Sequence, residues 1–375
     1  MKFRNLRLSN SLIVLFLFMF FAVPAQEKGS PKIKKDISLE LKAGPDNPRN
    51  SEGDFITLKD GRLLFIYTKY SGASASDHAP AQLSGRYSAD GGNTWSKDQL
   101  IIDQEGEMNV MSVSILRLKK GPIALFYLRK NSEKDCIPMM RVSVDEARTW
   151  SQPVACIRDK TGYFVLNNDR VVQLRSGRLL MPVALHTSPV GKWQEKGEIF
   201  CYYSDDDGKN WTSTRIPDTT TILTQEPGVL ELSNGRVLMF MRASGDAQQY
   251  SWSSDQGLTW SHIEKSNIRS PVSPASMARI PGTKDIILVW NDNDESNLVS
   301  GNQRTPLNMA ISKDDGETWI KKKTIEDNPD GWYCYTAIYF NRKNVFLGYI
   351  AGSQSRNQHL SSARIARVRR SDIYE

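Results

Sequence analysis

The eight residues SADGGNTW (Ser88–Trp95) occur in similar form four more times along the chain. The later copies are SVDEARTW, SDDDGKNW, SSDQGLTW and SKDDGETW, which begin at Ser143, Ser204, Ser253 and Ser312. Successive box tryptophans lie 55, 61, 49 and 59 residues apart. This spacing suits one small antiparallel sheet per repeat, so each copy, called a box below, marks one repeat of the fold.

A β-hairpin pattern precedes each of the first four boxes. Two apolar runs flank a glycine turn in FITLKDGRLLFIY, SILRLKKGPIALFYL, VVQLRSGRLLMPVAL and VLELSNGRVLMFMR, which is typical of a hairpin. A fifth unit contains MARIPGTKDIILVW, and YTAIYFNRKNVFLGYIAG forms a sixth unit without a box. We therefore predict an all-β fold, a six-bladed β-propeller with Asp-box turns.

The two ends of the predicted propeller are expected to meet. An open array of sheets would leave unpaired edges that promote aggregation. We predict that DISLELKA (Asp36–Ala43) completes the last blade beside SSARIARV near the C-terminus. Residues 36–375 are thus predicted to form one propeller domain.

The box residues have a structural interpretation. The box Asp can accept hydrogen bonds from nearby backbone N–H groups, Gly permits a positive φ, and Trp packs on the neighbouring strand. The copy SVDEARTW has lost its Gly but keeps Asp145 and Trp150. We therefore expect turns that shape the fold rather than five ligand sites.

The N-terminus has the pattern of a secretory signal. Three basic residues precede an apolar run from Leu12 to Val23 and the small-residue site Val23-Pro24-Ala25. We predict cleavage after residue 25, a secreted or periplasmic protein and no stable membrane span after cleavage. Removal of residues 1–25, with three basic and no acidic residues, lowers the formal net charge from +7 to +4. This mild excess argues against a nucleic-acid partner.

The sequence offers no pattern for a metal or cofactor. The four cysteines are 20, 45 and 133 residues apart, which matches no zinc-ligand spacing. In an exported protein some of them could form disulfides, and buried free thiols are equally compatible with the sequence. We expect no metal, no cofactor, no phosphate loop and no Ser-His-Asp arrangement.

The boxes, together with PRNSEGDF, NNDRVVQL, TQEPGVLEL and RTPLNMAIS, resemble the sialidase (neuraminidase) superfamily, in particular its exported bacterial exo-α-sialidases. The resemblance covers nearly all of the chain after residue 25. It implies a six-bladed propeller that removes terminal anionic sugars from glycans. It also implies three arginines for the substrate carboxylate, a Tyr nucleophile assisted by Glu, and an Asp acid/base. Similar boxes occur in proteins that are not enzymes.

These roles transfer to specific residues. In TQEPGVLELSNGRVLMFMR, Glu226 begins one strand and Arg242 ends its partner, so both are expected to face the central axis. Arg304 lies eight residues before the box Ser312 and resembles the third arginine. A guanidinium group can bind a carboxylate through two parallel hydrogen bonds.

The nucleophile is predicted to be Tyr335 in GWYCYTAIYF. Strand alternation places Tyr333 on the same face, so Tyr333 is an alternative. The predicted acid/base is Asp77, in a Gly/Ser/Ala-rich loop that can approach the leaving oxygen. The adjacent His78 could tune or replace it.

The first repeat departs from the family pattern. Counting back from Gly61, the family's first arginine would fall near Ser51, whereas this chain has Arg49. The position nine residues before the hairpin glycine holds Glu52, and its counterparts are Ser112, Asn168 and Glu226. Other candidates for sugar contacts at strand ends are Asn109, Arg129, Asn167, Asn168, Asp169, Arg170 and His186. Trp193, Trp252 and Trp332 could stack on sugar faces or pack in the core.

Two other functions are compatible with this sequence. If Glu52 and Glu226 both face the site, a neutral sugar could be cleaved by a conventional carboxylate pair. The propeller could also bind glycans without turnover. The predicted partner is a glycan or oligosaccharide in every case.

Overall fold

The computed structural model describes residues 30–293 and 304–375, and these residues contain 25 β-strands and no helix. The predicted signal segment lies outside the described residues. Strand β1 (Asp36–Leu41) precedes a four-stranded antiparallel sheet, which consists of β2 (Asn50–Thr57), β3 (Leu63–Tyr70), β4 (Ala81–Ser88) and β5 (Gln99–Ile102). The predicted all-β class is confirmed.

The second sheet has nine strands. They are β6 (Asn109–Arg117), β7 (Ile123–Ser132), β8 (Asp135–Ser143), β9 (Val154–Ala155), β10 (Tyr163–Val165), β11 (Val172–Gln173), β12 (Leu179–Thr187), β13 (Glu198–Ser204) and β14 (Thr212–Arg215). This sheet contains two predicted repeats, because a parallel pairing of Tyr163 with Cys136 joins β10 to β8. The described residues therefore form five sheets, and the count of six blades stays a prediction.

Three four-stranded antiparallel sheets follow. The third contains β15 (Thr224–Glu231), β16 (Val237–Ala243), β17 (Ala247–Ser253) and β18 (Glu264–Arg269). The fourth contains β19 (Ser276–Arg279), β20 (Ile286–Asn291), β21 (Leu307–Ser312) and β22 (Ile320–Glu326). The fifth contains β1 together with β23 (Gly331–Phe340), β24 (Asn344–Ser353) and β25 (Ala363–Arg369).

The N-terminal strand completes the last sheet. Strand β1 pairs antiparallel with β25, from Asp36 opposite Arg367 to Leu41 opposite Ala363. An ion pair at 2.6 Å also joins Arg367 to Asp36. This confirms the predicted pairing of the strand that begins at Asp36 with the strand near the C-terminus.

Hydrogen bonds tie the first strands of different sheets together. The side chain of Asn168 donates to the backbone oxygens of Gly53 and Tyr335, at 2.9 and 3.1 Å. Asp54 accepts from the N–H of Ile115, and Asp169 accepts from the N–H of Ile338, both at 2.8 Å. These bonds fix the relative positions of β2, β6 and β23, although they are far apart in the sequence.

The five boxes form one repeated turn. In the box of β17, Asp255 accepts hydrogen bonds from the backbone and hydroxyl of Thr259 and from the hydroxyl of Ser253. The other four boxes have the same Ser-to-Asp bond. In the box without glycine, Ala147 adopts a φ of 63°. These contacts confirm the structural interpretation of the box aspartates.

All four cysteines are buried free thiols, so no disulfide joins them. Across residues 30–293 and 304–375 there is no helix with the length and apolar character of a membrane span.

Candidate active site

Four strands share an unusual backbone feature near their beginning. Glu52, Ser112, Glu226 and Tyr335 have φ angles of 50°, 59°, 49° and 54°. Each lies at or beside a register shift in the pairing of β2, β6, β15 or β23 with the next strand. A β-bulge of this kind interrupts strand alternation and redirects a side chain. All four of these side chains line one cavity of about 250 Å³.

The remaining cavity lining comes from several sheets and loops. Three residues predicted as catalytic or substrate-binding also line it, namely Arg49, Arg242 and, from the β3–β4 loop, Asp77. The other lining residues are Met111, Leu128, Lys130, Tyr163, Val165, Asn167, His186, Trp193, Glu195, Gln225 and Leu360. The cavity lining therefore combines charged groups with aromatic and aliphatic groups.

Glu226 contacts two other residues that line the cavity. Its Oε1 accepts hydrogen bonds from the Tyr335 hydroxyl at 3.0 Å and from Nη1 of Arg242 at 2.9 Å. Burial would raise the pKa of Glu226, but the charges of Arg242 and Arg304 and these two hydrogen bonds outweigh it and lower the pKa. Glu226 is thus held as a carboxylate beside a phenol, the arrangement of a base with its proton donor.

The Tyr335 phenol is strongly held in its neutral form. Burial and the neighbouring Glu226 carboxylate raise its pKa well above 10, and Arg242 and Arg304 oppose that shift. The guanidinium carbon of Arg304 lies 5.8 Å from the centre of the Tyr335 ring and 5.6 Å from that of Trp332. Arg304 therefore borders the site, although it is not among the residues that line the cavity.

Arg49 reaches the cavity from just before β2. Only 1% of it is exposed, and its guanidinium carbon lies 4.6 Å from the centre of the Tyr70 ring. Its Nη1 is paired with the Asp77 carboxylate, and its Nη2 donates to the hydroxyl of Ser51 at 3.2 Å. The guanidinium of Arg49 thus lies at Ser51, where counting from the hairpin placed the family's first arginine.

Asp77 lies at the mouth of the cavity, with 54% of its side chain exposed. Partial burial would raise its pKa, but the charges of Arg49 and Lys130 and the hydrogen bond from Arg49 lower it. The backbone oxygen of Asp77 accepts from Asn109 at 2.9 Å and from Lys130 at 2.6 Å. Asn109 and Lys130 therefore anchor the loop that carries Asp77.

Glu52 is the second buried carboxyl group of the cavity. It accepts a hydrogen bond from the Ser112 hydroxyl at 2.5 Å. Burial raises its pKa, while Arg49 and Ser112 oppose the shift. The environments of Glu52 and Glu226 thus shift their pKa values in opposite directions.

The expectation that Tyr333 and Tyr335 face the same way is wrong. Tyr333 is buried in a different apolar cluster, where its ring centre lies 6.3 Å from that of Tyr349. The pairing of β23 with β24 shifts register between Cys334 and Ala337, and the backbone of Tyr335, in this interval, has a left-handed conformation. The bulge reverses the alternation, so only Tyr335 faces the cavity.

Asp169 and Arg170 do not line the cavity. Asp169 accepts from the backbone of Ile338, and burial raises its pKa to about 6. Arg170 donates to the backbone oxygen of Ala275 at 2.7 Å. Both side chains connect neighbouring strands, and their contact with a sugar stays a prediction.

Of the aromatic residues that line the cavity, His186 and Trp193 were candidates from the sequence, and Tyr163 was missed. Trp193 stacks on His186, with ring centres 4.6 Å apart, and meets Tyr163 edge-on at 5.3 Å. Lys130, rather than the predicted Arg129, points into the cavity beside Leu128. Period-two alternation from the buried Leu128 could have identified Lys130, whereas nothing local signals that Trp193 and Tyr163 meet.

The sequence matches a known family over most of its length. Residues 69–350 match the family model described as a BNR repeat-like domain. The chain belongs to the BNR repeat-like family. Among residues 30–293 and 304–375 of this family member, no group of three His, Cys, Asp or Glu side chains is arranged to hold a metal ion.

Relatives of this BNR repeat protein include several sialidases. It is 26% identical to a sialidase of Bacteroides fragilis over 324 residues, which are 76% of this chain and 57% of that protein. The chain thus spans little more than half the length of this relative.

Two solved structures show a shared fold. A leech intramolecular trans-sialidase, complexed with 2,7-anhydro-Neu5Ac, is 15% identical with a TM-score of 0.70, over 91% of this chain and 71% of that one. A protein of unknown function from Dyadobacter fermentans is 18% identical with a TM-score of 0.68, over 90% of this chain and 100% of that one.

Proposed function

We propose that this protein is an exported retaining exo-glycosidase of the sialidase type, which removes terminal sialic-acid-like sugars from glycans. The observation that carries the proposal is the 3.0 Å hydrogen bond from the Tyr335 hydroxyl to Glu226. It lies in a cavity that also holds Arg49 and Arg242, with Arg304 at its border. A phenol beside a carboxylate base and several guanidinium groups suits an anionic sugar better than a carboxylate nucleophile does.

In the first step Tyr335 is the nucleophile. Glu226 accepts the phenol proton as the Tyr335 oxygen forms a bond to the anomeric carbon. The bond from that carbon to the leaving oxygen breaks, and Asp77 donates a proton to that oxygen. Because Arg49 and Lys130 lower the Asp77 pKa in the structure without substrate, this step requires the bound sugar to take the Arg49 guanidinium away from Asp77. The terminal sugar is then covalently attached to Tyr335.

In the second step water releases the sugar. Asp77, now a carboxylate, accepts a proton from water as the water oxygen attacks the anomeric carbon. The bond to Tyr335 breaks, and Glu226 returns the proton to the phenol oxygen. Two displacements at one carbon retain the anomeric configuration, and the sequence of steps requires no cofactor.

The fold and location form part of the same proposal. We infer six propeller blades, because the nine-stranded sheet contains two repeats and β1 completes the last sheet. The basic residues and apolar run of residues 1–25 support secretion or a periplasmic location. The substrate is a glycan or oligosaccharide at the cell exterior.

The opposite pKa shifts of Glu52 and Glu226 favour one alternative. A carboxyl group with a raised pKa beside one with a lowered pKa in the same cavity resembles the acid and nucleophile pair of a conventional glycosidase. In that case Glu52 donates the proton, Glu226 attacks, and the terminal sugar is neutral.

A glycan panel distinguishes these functions. The purified protein is incubated with sialylated glycans and with neutral glycans of matched length, and the released monosaccharides are identified by mass spectrometry. Release of terminal anionic sugar alone supports the proposal. Release of neutral sugar alone supports the Glu52–Glu226 alternative, and binding without release from any glycan contradicts both.

A further inference from the structure

The backbone bulge that carries Tyr335 depends on contacts from outside its own sheet. Tyr335 and Thr336 lie between Cys334 and Ala337, where the pairing of β23 with β24 shifts register. The φ of Tyr335 is 54°. A residue other than glycine keeps such a conformation only where the surrounding structure holds it. The contacts that hold this bulge therefore determine where the phenol of Tyr335 lies.

Two buried side chains donate hydrogen bonds to consecutive backbone oxygens of the bulge. The side-chain amide of Asn168, between β10 and β11, donates to the oxygen of Tyr335 at 3.1 Å. The hydroxyl of Ser276, in β19, donates to the oxygen of Thr336 at 2.6 Å. Asn168 and Ser276 are only 2% and 3% exposed. Both donors are thus shielded from water that would compete for these bonds.

Asn168 differs from the residues at the equivalent position of other repeats. In the first repeat that residue is Glu52, which has a φ of 50° and lines the cavity. In the repeat of Asn168 the left-handed residue is the next one, Asp169, with a φ of 55°. The Asn168 amide has two N–H donors, and it bonds the backbone oxygens of Gly53 and Tyr335. One amide therefore joins the bulge of Glu52 to the bulge of Tyr335.

We propose that Asn168 is a positioning residue for the Tyr335 nucleophile, and that Ser276 supports the same bulge. This inference rests on the proposed function. Both partners of the Asn168 amide are backbone oxygens, so Asn168 acts through the placement of Tyr335. Attack on a carbon atom requires close and aligned reacting atoms, and a misplacement of about 1 Å can lower a rate about 10²-fold.

Three alanine variants separate this role from general stability. Asn168→Ala and Ser276→Ala each remove one donor to the bulge. Ser276→Ala is the smaller change, and it decides the question alone if Asn168→Ala does not fold. Ser251→Ala is the matched control, since Ser251 is buried and its hydroxyl donates to the backbone oxygen of Ser261 at 2.7 Å. The control removes the same kind of bond next to a box turn.

The experiment measures hydrolysis of an aryl glycoside of N-acetylneuraminic acid. An aryl group leaves with little need for a proton, so kcat/KM reports the attack by Tyr335 more than the action of Asp77. We expect kcat/KM to fall about 10²-fold in Asn168→Ala and about tenfold in Ser276→Ala. Affinity for free N-acetylneuraminic acid, measured by calorimetry, should stay within about threefold in both variants.

The control variant should lose stability without losing activity. Ser251→Ala should lower the urea midpoint of unfolding about as much as Ser276→Ala does. It should keep kcat/KM and affinity within about twofold of wild type. An equal loss of kcat/KM in Ser251→Ala and Ser276→Ala would show that the loss comes from destabilisation, and would contradict the positioning role.

Other results contradict the inference in distinguishable ways. If Tyr335→Phe abolished turnover while Asn168→Ala and Ser276→Ala kept wild-type kcat/KM, the positioning role would be wrong and the proposed function would stand. If affinity fell as much as kcat/KM in both variants, these bonds would shape the whole cavity rather than place the phenol. If wild type did not cleave the aryl glycoside, or Tyr335→Phe cleaved it equally well, the proposed function would fail and this inference with it.

Discussion

The Tyr335 hydroxyl donates a hydrogen bond to Oε1 of Glu226 at 3.0 Å, across 109 residues of sequence. Each residue has a left-handed backbone at the beginning of a strand, with φ angles of 54° and 49°. The same left-handed backbone conformation therefore directs both side chains into one cavity. A non-glycine residue in this conformation costs about 1 to 3 kcal/mol, and such strain clusters at functional sites.

Tyr335→Phe tests the nucleophile. Loss of the phenol oxygen should lower kcat for glycoside hydrolysis at least about 10³-fold, because no covalent intermediate can form. Ligand affinity should stay within about threefold, and the unfolding free energy should fall by about 1 kcal/mol from the lost hydrogen bond. Steady-state kinetics, calorimetry and urea unfolding measure these three effects.

Tyr333→Phe is the matched control, since Tyr333 is two residues away but packs in another cluster. It should keep kcat within about twofold. A larger loss of kcat in Tyr333→Phe than in Tyr335→Phe would show that Tyr333, and not Tyr335, is the nucleophile.

The hairpins and box turns were predictable because their signals are local. Glycine and aspartate at fixed offsets determine a turn wherever the chain lies. The same counting identified Glu52 and Glu226 as equivalent positions, and both carry the left-handed bulge. The same counting could not place Tyr335, because it starts from a hairpin glycine and the turn after Tyr335, between Asn341 and Asn344, contains none.

The rest of the site depends on contacts between distant segments. The reach of Arg49 to Asp77 depends on the length of its side chain and on the path of the β3–β4 loop. The contact of Trp193 with Tyr163 joins the loop between β12 and β13 to the first residue of β10, and no hydrophobic period predicts it. Such contacts follow from the tertiary fold, and strand alternation alone places neither of them.

Arg304→Lys tests the binding of an anionic group. Lysine keeps the charge but loses the planar pair of N–H donors that matches a carboxylate. We expect affinity for sialylated ligands to fall about tenfold, with affinity for neutral glycans unchanged. Arg158→Lys, at an exposed position, should change neither. An equal loss for neutral glycans would exclude a carboxylate-binding role for Arg304.

Asp77→Asn tests the proton donor through the leaving group. Kcat/KM for an oligosaccharide should fall about 10²-fold to 10⁴-fold, because its leaving oxygen needs a proton. Hydrolysis of a glycosyl fluoride with the same terminal sugar should fall less than about tenfold, since fluoride leaves without that proton. His78→Ala is the control variant. If His78→Ala rather than Asp77→Asn produced this dependence, His78 would be the acid.

Asp255→Ala tests the structural role of a box. Loss of its bonds to Ser253 and Thr259 should lower the unfolding free energy by about 1 to 2 kcal/mol, with kcat and KM unchanged. Burial would raise the pKa of Asp255, but the hydrogen bonds from Thr259 and Ser253 lower it.

The effect of Asp255→Ala depends on pH in a defined direction. Because its folded pKa is lowered, Asp255 contributes fully above its unfolded pKa of about 3.9, and the contribution is lost as pH falls through the folded value. The difference from wild type should therefore shrink in acid. Ser254→Ala, exposed in the same turn, should have no effect. A change in KM for Asp255→Ala would point to a ligand site at the box.

The most direct test of the proposed chemistry is to trap the covalent intermediate. The protein is incubated with 2,3-difluorosialic acid, digested and examined by peptide mass spectrometry. The account predicts one sugar adduct, on Tyr335. An adduct on Glu226 or Glu52, or an unlabelled protein that still releases sialic acid from 3′-sialyllactose, would contradict it.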